Sequence, residues 1–517
     1  MTQKNPYLVQ TYATLPRLLA CFEQDPTSPQ FGVGDRLRWA WKLSDFTNGT
    51  FQGAAHGLAR LVNAGLLPTW LDEQRVVERI LSILRAIRSI RRPDGSLEEA
   101  FPGEASYCVT ALVAYDSLCA LELLESRIDQ AVSKELVDSL APLIRFVLAN
   151  RESHATITNH LATAAAAIIR WERISGQNTG GAGDALVAEI ISMQSAEGWF
   201  PEYEGPDPGY QSLAMTYLAD INDIRPDLGL SAPLQRAAEF LAYCVHPDGS
   251  FGGLYGARNT RICHPAGIEA LASFSDAAAS MLPAIRSSIE NRDCVTLDVL
   301  DPNNMVPAFN GYCWAAVLAD GRPEPGHGMV PGVADGVWRK RLDHAGLLLD
   351  KGANHYTVIS FKKGGVVYHF PKGGRTVVNP GVAATRGDGD LYMTQSWFDG
   401  NVVTFEDDRI TVRSELTKAQ REWPSPFQFI VLRALALTVL KIGPIRNLIK
   451  KMLVERLITG RKCIGIRNIR TVFLGEALHI EDQWDGDVRD LRQVDTAMPF
   501  SAIHMASQGY WQREDDR

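Results

Sequence analysis

No segment of the chain reaches the roughly 20 consecutive apolar residues that a membrane-spanning helix requires. The most apolar run, 427–440, is short and is interrupted by Arg433. Cysteine pairing signals are missing as well. The eight cysteines are scattered, with no Cys-x-x-Cys pair and no neighbouring His-x-x-x-His, which excludes a ribbon-type zinc site and a disulfide scaffold. Reduced, mostly buried thiols are expected instead. A basic excess is absent, and the net charge of -8 argues against a nucleic-acid binder. Residues 1–23 lack a basic segment followed by an uninterrupted apolar core, so no secretory leader is read and a cytoplasmic location is expected.

What remains is ordinary globular material, 45% hydrophobic and 22% charged over 517 residues, too long for one compact core. Up to about Pro323 the chain alternates helical patterns with short Gly, Pro and Asp punctuation, and it carries a repeat. Four turn markers recur about 50 residues apart or at twice that interval: Asn48-Gly49-Thr50-Phe51, Asp94-Gly95-Ser96-Leu97, Glu197-Gly198-Trp199-Phe200 and Asp248-Gly249-Ser250-Phe251. The missing marker falls near Arg151-Glu152-Ser153-His154. Each period holds two helices and their connections, the unit that closes into an (α/α) toroid. Helices are expected to start near Ala54, Ala105, Thr158, Pro208 and Pro265, with His56, Tyr107, His160, Tyr210 and His264 at their heads. If these helices form the inner ring, their heads share one end of the cavity. Converging helix N-termini supply partial positive charge and free N–H groups, so an acidic ligand is favoured.

Pro and Gly become dense from Pro323 to Trp338, which marks a domain junction. The expected division is 1–325 for the toroid and 326–517 for the remainder. Beyond the junction, short Val, Ile, Thr and Tyr runs separated by Gly, Asp and Asn predict an antiparallel β-sandwich. One segment breaks that pattern. Residues 427–461 are apolar and basic, and a helical insertion is expected there. It would lie on an anionic membrane surface or grip a polyanion or acidic partner; the alternative is a helical hairpin packed on the sandwich with solvated lysines. The fold class is therefore α+β and multidomain, an incomplete (α/α) toroid followed by a sandwich with a helical insertion.

Three runs carry a family resemblance: Asn159-His160 at a helix head, Asp207-Pro208-Gly209-Tyr210-Gln211-Ser212-Leu213, and the strand His355 to Phe361 followed by Asn379-Pro380-Gly381. Together they resemble the heparinase II/III-type polysaccharide lyases, which combine an incomplete toroid with a sandwich and cleave uronate-containing chains by β-elimination. The resemblance implies that the carboxylate-neutralising residue is Asn159 or His160, that the catalytic tyrosine is Tyr210, and that the sandwich contributes His355. The strand departs from the family's His-x-His-x-Asp pattern, reading Asn354-His355-Tyr356-Thr357, and Asn379 replaces the Asp of Asp-Pro-Gly. A zinc site like that of some members would have only His344, His355 and His369 to draw on. No cofactor is expected, and a structural divalent metal is left open.

The residue types suit the chemistry. The proton at C5 of a uronate is weakly acidic, so the adjacent carboxylate must be neutralised by amide, cationic or helix-terminal donors. Asn159 does this without adding a competing base; Tyr210, His160 or His355 would move the proton. Arg258 is a candidate clamp for the sugar acid, with a loop arginine bound to a carbonyl as the plain reading. Tyr107 and His264 would line the cavity, and Trp199 and Tyr203 would stack on sugar faces, although Trp199 serves equally to close the repeat core. Glu98, Glu99, Glu104, Glu202 and Glu204 sit in the loops before these helices, and a pair of them would make a toroid glycoside hydrolase instead. A non-catalytic glycan-binding protein of a polysaccharide assembly pathway is the third reading. An acidic polysaccharide is the expected partner, with a peripheral membrane or protein contact through 427–461.

Overall fold

Two kinds of helix alternate along the first 320 residues. In chain order they are α1 (Pro6–Leu19), the single turn α2 (Leu37–Ala40), α3 (Ala54–Asn63), α4 (Glu73–Ile90), α5 (Tyr107–Leu123), α6 (Gln130–Ala149) and α7 (Thr158–Ser175). There follow α8 (Ala182–Met193), α9 (Pro208–Ile224), α10 (Ser231–Ala242), α11 (Pro265–Leu271), α12 (Asp276–Asn291) and α13 (Pro302–Ala319). This is a computed structural model, and it describes residues 5–152, 155–320, 322, 328–387, 389–419, 425–455 and 460–494.

The odd-numbered helices from α3 to α13 form the inner ring. Each packs on the next, and α13 returns to α3, with α11 reduced to seven residues. Their sequences show why: α5 is buried on every side from Val109 to Leu121, and α7 is an alanine-rich run with the same property, so neither has a polar face to give to water. The outer helices carry a single stripe instead. On α4 it is Val76, Ile80, Ile83, Leu84 and Ile87, at the spacing of one helical face. Expected helix starts at Ala54, Thr158, Pro208 and Pro265 coincide with observed ones, and the start expected at Ala105 lies at Tyr107. The turn markers seat the rings on each other. Gly198, at φ +94°, packs where any Cβ would collide with the Arg236 carbonyl of α10, so the turn admits only glycine. Of the missing marker, Ser153 and His154 lie outside the described residues.

The C-terminal part is two antiparallel sheets. β1 (Trp338–Leu342), β2 (Leu347–Lys351), β3 (His355–Ser360), β4 (Val366–Pro371) and β5 (Val377–Asn379) pair in that order. The second sheet contains β6 (Ala383–Thr385), β7 (Leu391–Met393), β8 (Val402–Phe405), β9 (Arg409–Lys418), β10 (Cys463–Phe473), β11 (His479–Asp485) and β12 (Arg492–Val494), ordered β11-β10-β9-β7-β6-β12 with β8 beside β9. The first sheet is covered on both faces, which is why β2 and β3 are buried at every position. Tyr356, Val358, Tyr368 and Phe370 join the toroid core, whereas Ile359, Phe361 and Val367 meet Ile410, Val412 and Val472 of the second sheet. Polar contacts fix the docking: Tyr356 Oη donates to the Tyr243 carbonyl at 2.8 Å, and the Leu254 amide donates to Tyr368 Oη at 3.0 Å.

The helical insertion is α14 (Pro426–Leu437) and α15 (Gly443–Val454). Its contacts differ from a hairpin packed on the sandwich. Ala436 lies over Gly103, Arg433 pairs with Asp45 at 2.8 Å, Lys450 approaches Glu104 at 3.5 Å, and Arg461 pairs with Glu204 at 2.7 Å. All four partners are toroid loops. Seven cysteines are buried or half-buried and Cys463 is exposed, and all eight are free thiols.

Candidate active site

Asp207 organises the site. Its side chain is fully buried and caps α9 by accepting from the Tyr210 amide at 3.2 Å, with Pro208 at the first helical position. The same carboxyl accepts from the backbone N–H of Arg258 at 2.9 Å and of Thr260 at 3.3 Å, and from the Thr260 hydroxyl. Gly209 lets this happen, because a Cβ there would collide with Thr260 Oγ1. One side chain thus fixes both the helix head bearing Tyr210 and the loop bearing Arg258. The Arg258 guanidinium lies 4.1 Å from the Tyr203 ring centroid and 5.9 Å from that of Tyr210. Tyr203 itself is held at φ +59°, a conformation that costs free energy outside glycine and turns the loop under the arginine.

Asn159, at the head of α7, donates to Glu202 Oε2 at 3.0 Å, and both are buried. Burial raises the Glu202 carboxyl to about 7, against the opposing pull of Arg258 and His160. His160, one residue on, bonds Glu152 at 2.5 Å. Burial works against its charged form, but the Cys108 thiol and the Glu152 carboxylate outweigh it and hold the imidazole pKa well above the ordinary value. Burial likewise lifts the Tyr210 phenol well above 10, opposed by Arg258. Across the mouth, Glu99 stands exposed, its amide donating to Glu104 at 3.1 Å, and burial pushes the adjacent Tyr107 up to about 12.

The structure therefore gathers Asn159, His160, Tyr203, Tyr210 and Arg258, with Tyr107 beside them, and it gives three other candidates different partners. His264 precedes α11, its amide donates to Ser212 Oγ at 2.9 Å, and it lines a small cavity of about 20 Å³ with His56 and Asp116; burial lowers its pKa to about 4. Trp199 packs on the toroid core and donates to Glu197, which in turn receives the His344 and Ala345 amides at the junction with the sheets. His355 bonds Asp350 at 2.9 Å and stacks on His369. Strand alternation explains its position, since its neighbour Tyr356 faces the toroid and His355 therefore faces the second sheet. Both His369 nitrogens are engaged, by Thr357 and by the Glu476 carbonyl, and among the described residues no cluster of three or more metal-ligating side chains forms.

The sheets also contribute Lys363, which no residue pattern singles out. It is 3% exposed, donates to the Gly256 carbonyl at 2.8 Å and to Asn259 Oδ1, and so grips the loop that presents Arg258. Burial pushes its amine down to about 7. The geometry also gives roles to Glu152 and Asp207, and it selects Glu202 from the five loop glutamates. A cavity of about 480 Å³ lies at the opposite mouth, where the C-terminal ends of the inner helices bring Arg60, Glu122, Arg170, Asp220 and Trp314 together. Its buried arginine is already committed, since Arg170 pairs with both Glu122 and Asp220.

No family model and no curated protein matches the chain. Solved structures do. The chondroitin AC lyase of Streptomyces coelicolor A3, determined in complex with chondroitin sulphate, is similar with a TM-score of 0.54 and 9% identity, over 92% of this chain and 65% of its own. Paenibacillus xanthan lyase gives 0.47 and 10%, over 80% of this chain and 46% of its own. Heparinase III gives 0.48 and 11%, over 91% and 69%. The chain thus spans less than two thirds of the length of the first two. A helical toroid followed by antiparallel sheets, aligned over nearly the whole chain with the chondroitin lyase, is a polysaccharide lyase fold.

Proposed function

We propose that the protein is a polysaccharide lyase that cleaves an acidic, uronate-containing polysaccharide by β-elimination. The observation that supports this reading is the single cluster formed by Asn159, His160, Glu202, Tyr210 and Arg258 at the mouth where the inner helices begin. In this mechanism Asn159 and the cationic His160 bind the uronate carboxylate, which spreads the charge that develops when C5 loses its proton. The Tyr210 oxygen takes that proton, the C4–O bond breaks as the C4–C5 double bond forms, and the proton passes to the departing glycosidic oxygen. Tyr210 must first lose its own proton, and Arg258 is placed to stabilise the phenolate. Glu202, with a carboxyl near 7, is the nearby group suited to accept it. Lys363 serves as the sandwich's contribution by holding the Arg258 loop.

The test is incubation with a panel of uronate polymers while following the ultraviolet absorbance of the unsaturated product. Tyr210→Phe is expected to abolish turnover with an unchanged circular dichroism spectrum; full activity in that variant would sink the mechanism. Glu202, buried with its carboxyl near 7, and Glu99 on the exposed rim, both acted on by His160, form the carboxyl pair that favours a toroid glycoside hydrolase as the second reading. New reducing ends without ultraviolet absorbance would select it. Retention of polymer with no product would select a glycan-binding protein.

A further inference from the structure

We infer that the outward face of the α14–α15 hairpin, together with the segment 36–43, docks on an anionic lipid bilayer surface. A twelve-residue helix as apolar as α14, whose one charge is Arg433, belongs in a core. Here only Ala436 is buried. Phe427 is 71% exposed, Ile430 65% and Leu437 59%, and α15 continues the surface with Leu448 and Met452 one turn apart. The Arg433–Asp45 pair ties α14 to a second exposed group, in which Trp41 is 81% and Leu43 78% exposed and Trp39 stands beside them. Scattered exposed apolar residues are normal, but a contiguous set of this kind marks an interaction surface.

Charge and aromatic content choose the occupant. On a chain of net charge -8, residues 427–455 carry five basic side chains and one acidic one, Glu455. Lys441 and Lys451 stand exposed beside the apolar residues, and Arg36 and Lys42 flank the tryptophans. Tryptophan with phenylalanine and leucine, rimmed by lysine and arginine, suits the headgroup level of a bilayer, where the ring is half-buried and the cations meet anionic lipid. Among the described residues no helix is long and apolar enough to cross a membrane, so the hairpin would lie in the interface plane. Each basic residue near such a surface adds about fivefold in partition, which four exposed cations make substantial.

Flotation of the full chain with vesicles tests this, using phosphatidylcholine alone and phosphatidylcholine with one-quarter phosphatidylglycerol. Partition onto the anionic vesicles is expected to exceed that onto neutral ones by about tenfold or more and to fall in about 0.5 M NaCl. The triple variant Phe427→Ser, Phe429→Ser, Ile430→Ser removes only exposed side chains, so its thermal midpoint should match the parent while its partition drops about tenfold. Equal binding to both vesicle types, no flotation, or a triple variant that still floats would each overturn the inference. So would light scattering that shows a dimer dissolved by the triple variant, because a second copy would then be what covers the face.

Discussion

Replacing Asp207 with alanine should damage the protein more than any other single change at the site, and the size of the effect can be worked from its partners. The carboxyl accepts from the Tyr210, Arg258 and Thr260 amides and from the Thr260 hydroxyl, all in a fully buried setting. Loss of the helix cap costs about 1 kcal/mol. Each of the other donors is left without an acceptor away from water, at about 1–3 kcal/mol apiece, and because the groups share one carboxyl their costs overlap rather than add. A total of about 3–6 kcal/mol follows, a large share of the stability of a typical folded domain. Asp207→Asn keeps one oxygen and should lose roughly half as much. Urea unfolding followed by circular dichroism measures the global change, and hydrogen exchange measures the local one. The Arg258 and Thr260 amides should exchange on the order of 100-fold faster in Asp207→Ala. A variant with an unchanged urea midpoint and equally protected amides would refute the view that this side chain joins the α9 head to the Arg258 loop.

Two pH predictions come from buried ionisable groups. Glu202 has its carboxyl raised to about 7 from an ordinary 4.5, so between those values the folded state binds more protons than the unfolded one and stability falls as pH rises. Glu202→Gln should remove a decline of about 3 kcal/mol between pH 5 and pH 8, and a decline that persists in the variant would place its origin elsewhere. Lys363 runs the other way: its amine is lowered to about 7 from 10.5, the unfolded state binds more protons across that window, and stability rises with pH. Lys363→Met should flatten the rise of about 3 kcal/mol between pH 7 and pH 9.5, read from urea midpoints. It should also raise KM more than it lowers kcat, because the loop carrying Arg258 loses its hold on the Gly256 carbonyl.

The toroid was legible because its signals are local. Asp207-Pro208 announces a capped helix, Asp94 and Asp248 each accept from the serine two residues on within the turn markers, and inner helices such as α5 read as apolar on all faces. The gathering of Asn159, His160, Tyr210 and Arg258 follows from that ring. Orientation on the first sheet was not legible. A sheet covered on both faces has no polar side to set parity, so nothing in His355-Tyr356-Thr357 tells which residue faces the toroid. The Asn159–Glu202 pair depends on a loop whose path turns at Tyr203 through a positive φ, and no residue pattern announces that. Lys363 reads as a solvated lysine beside Lys362, and only the docking of sheet on toroid buries it.

The two mouths of the ring offer opposite fields to a charged polymer. At the end that gathers Arg60, Arg170 and Trp314, the inner helices present carbonyl groups and partial negative charge, and Arg170 is already neutralised by two carboxylates. An anionic chain gains little there despite the room. At the other end the helices present N–H groups, which attract an acid, yet Glu99, Glu104, Glu152 and Glu202 also crowd that mouth and would repel it. Two of these acids are spent on cations of the protein itself, Glu152 on His160 and Glu104 on Lys450. Glu202 accepts from the Asn159 amide, and burial raises its carboxyl to about 7, so it carries less charge near neutrality than an ordinary glutamate. On the proposed lyase reading, the repulsion at this mouth is therefore smaller than the number of acids suggests, and the helix heads and Asn159 are left to act on a carboxylate.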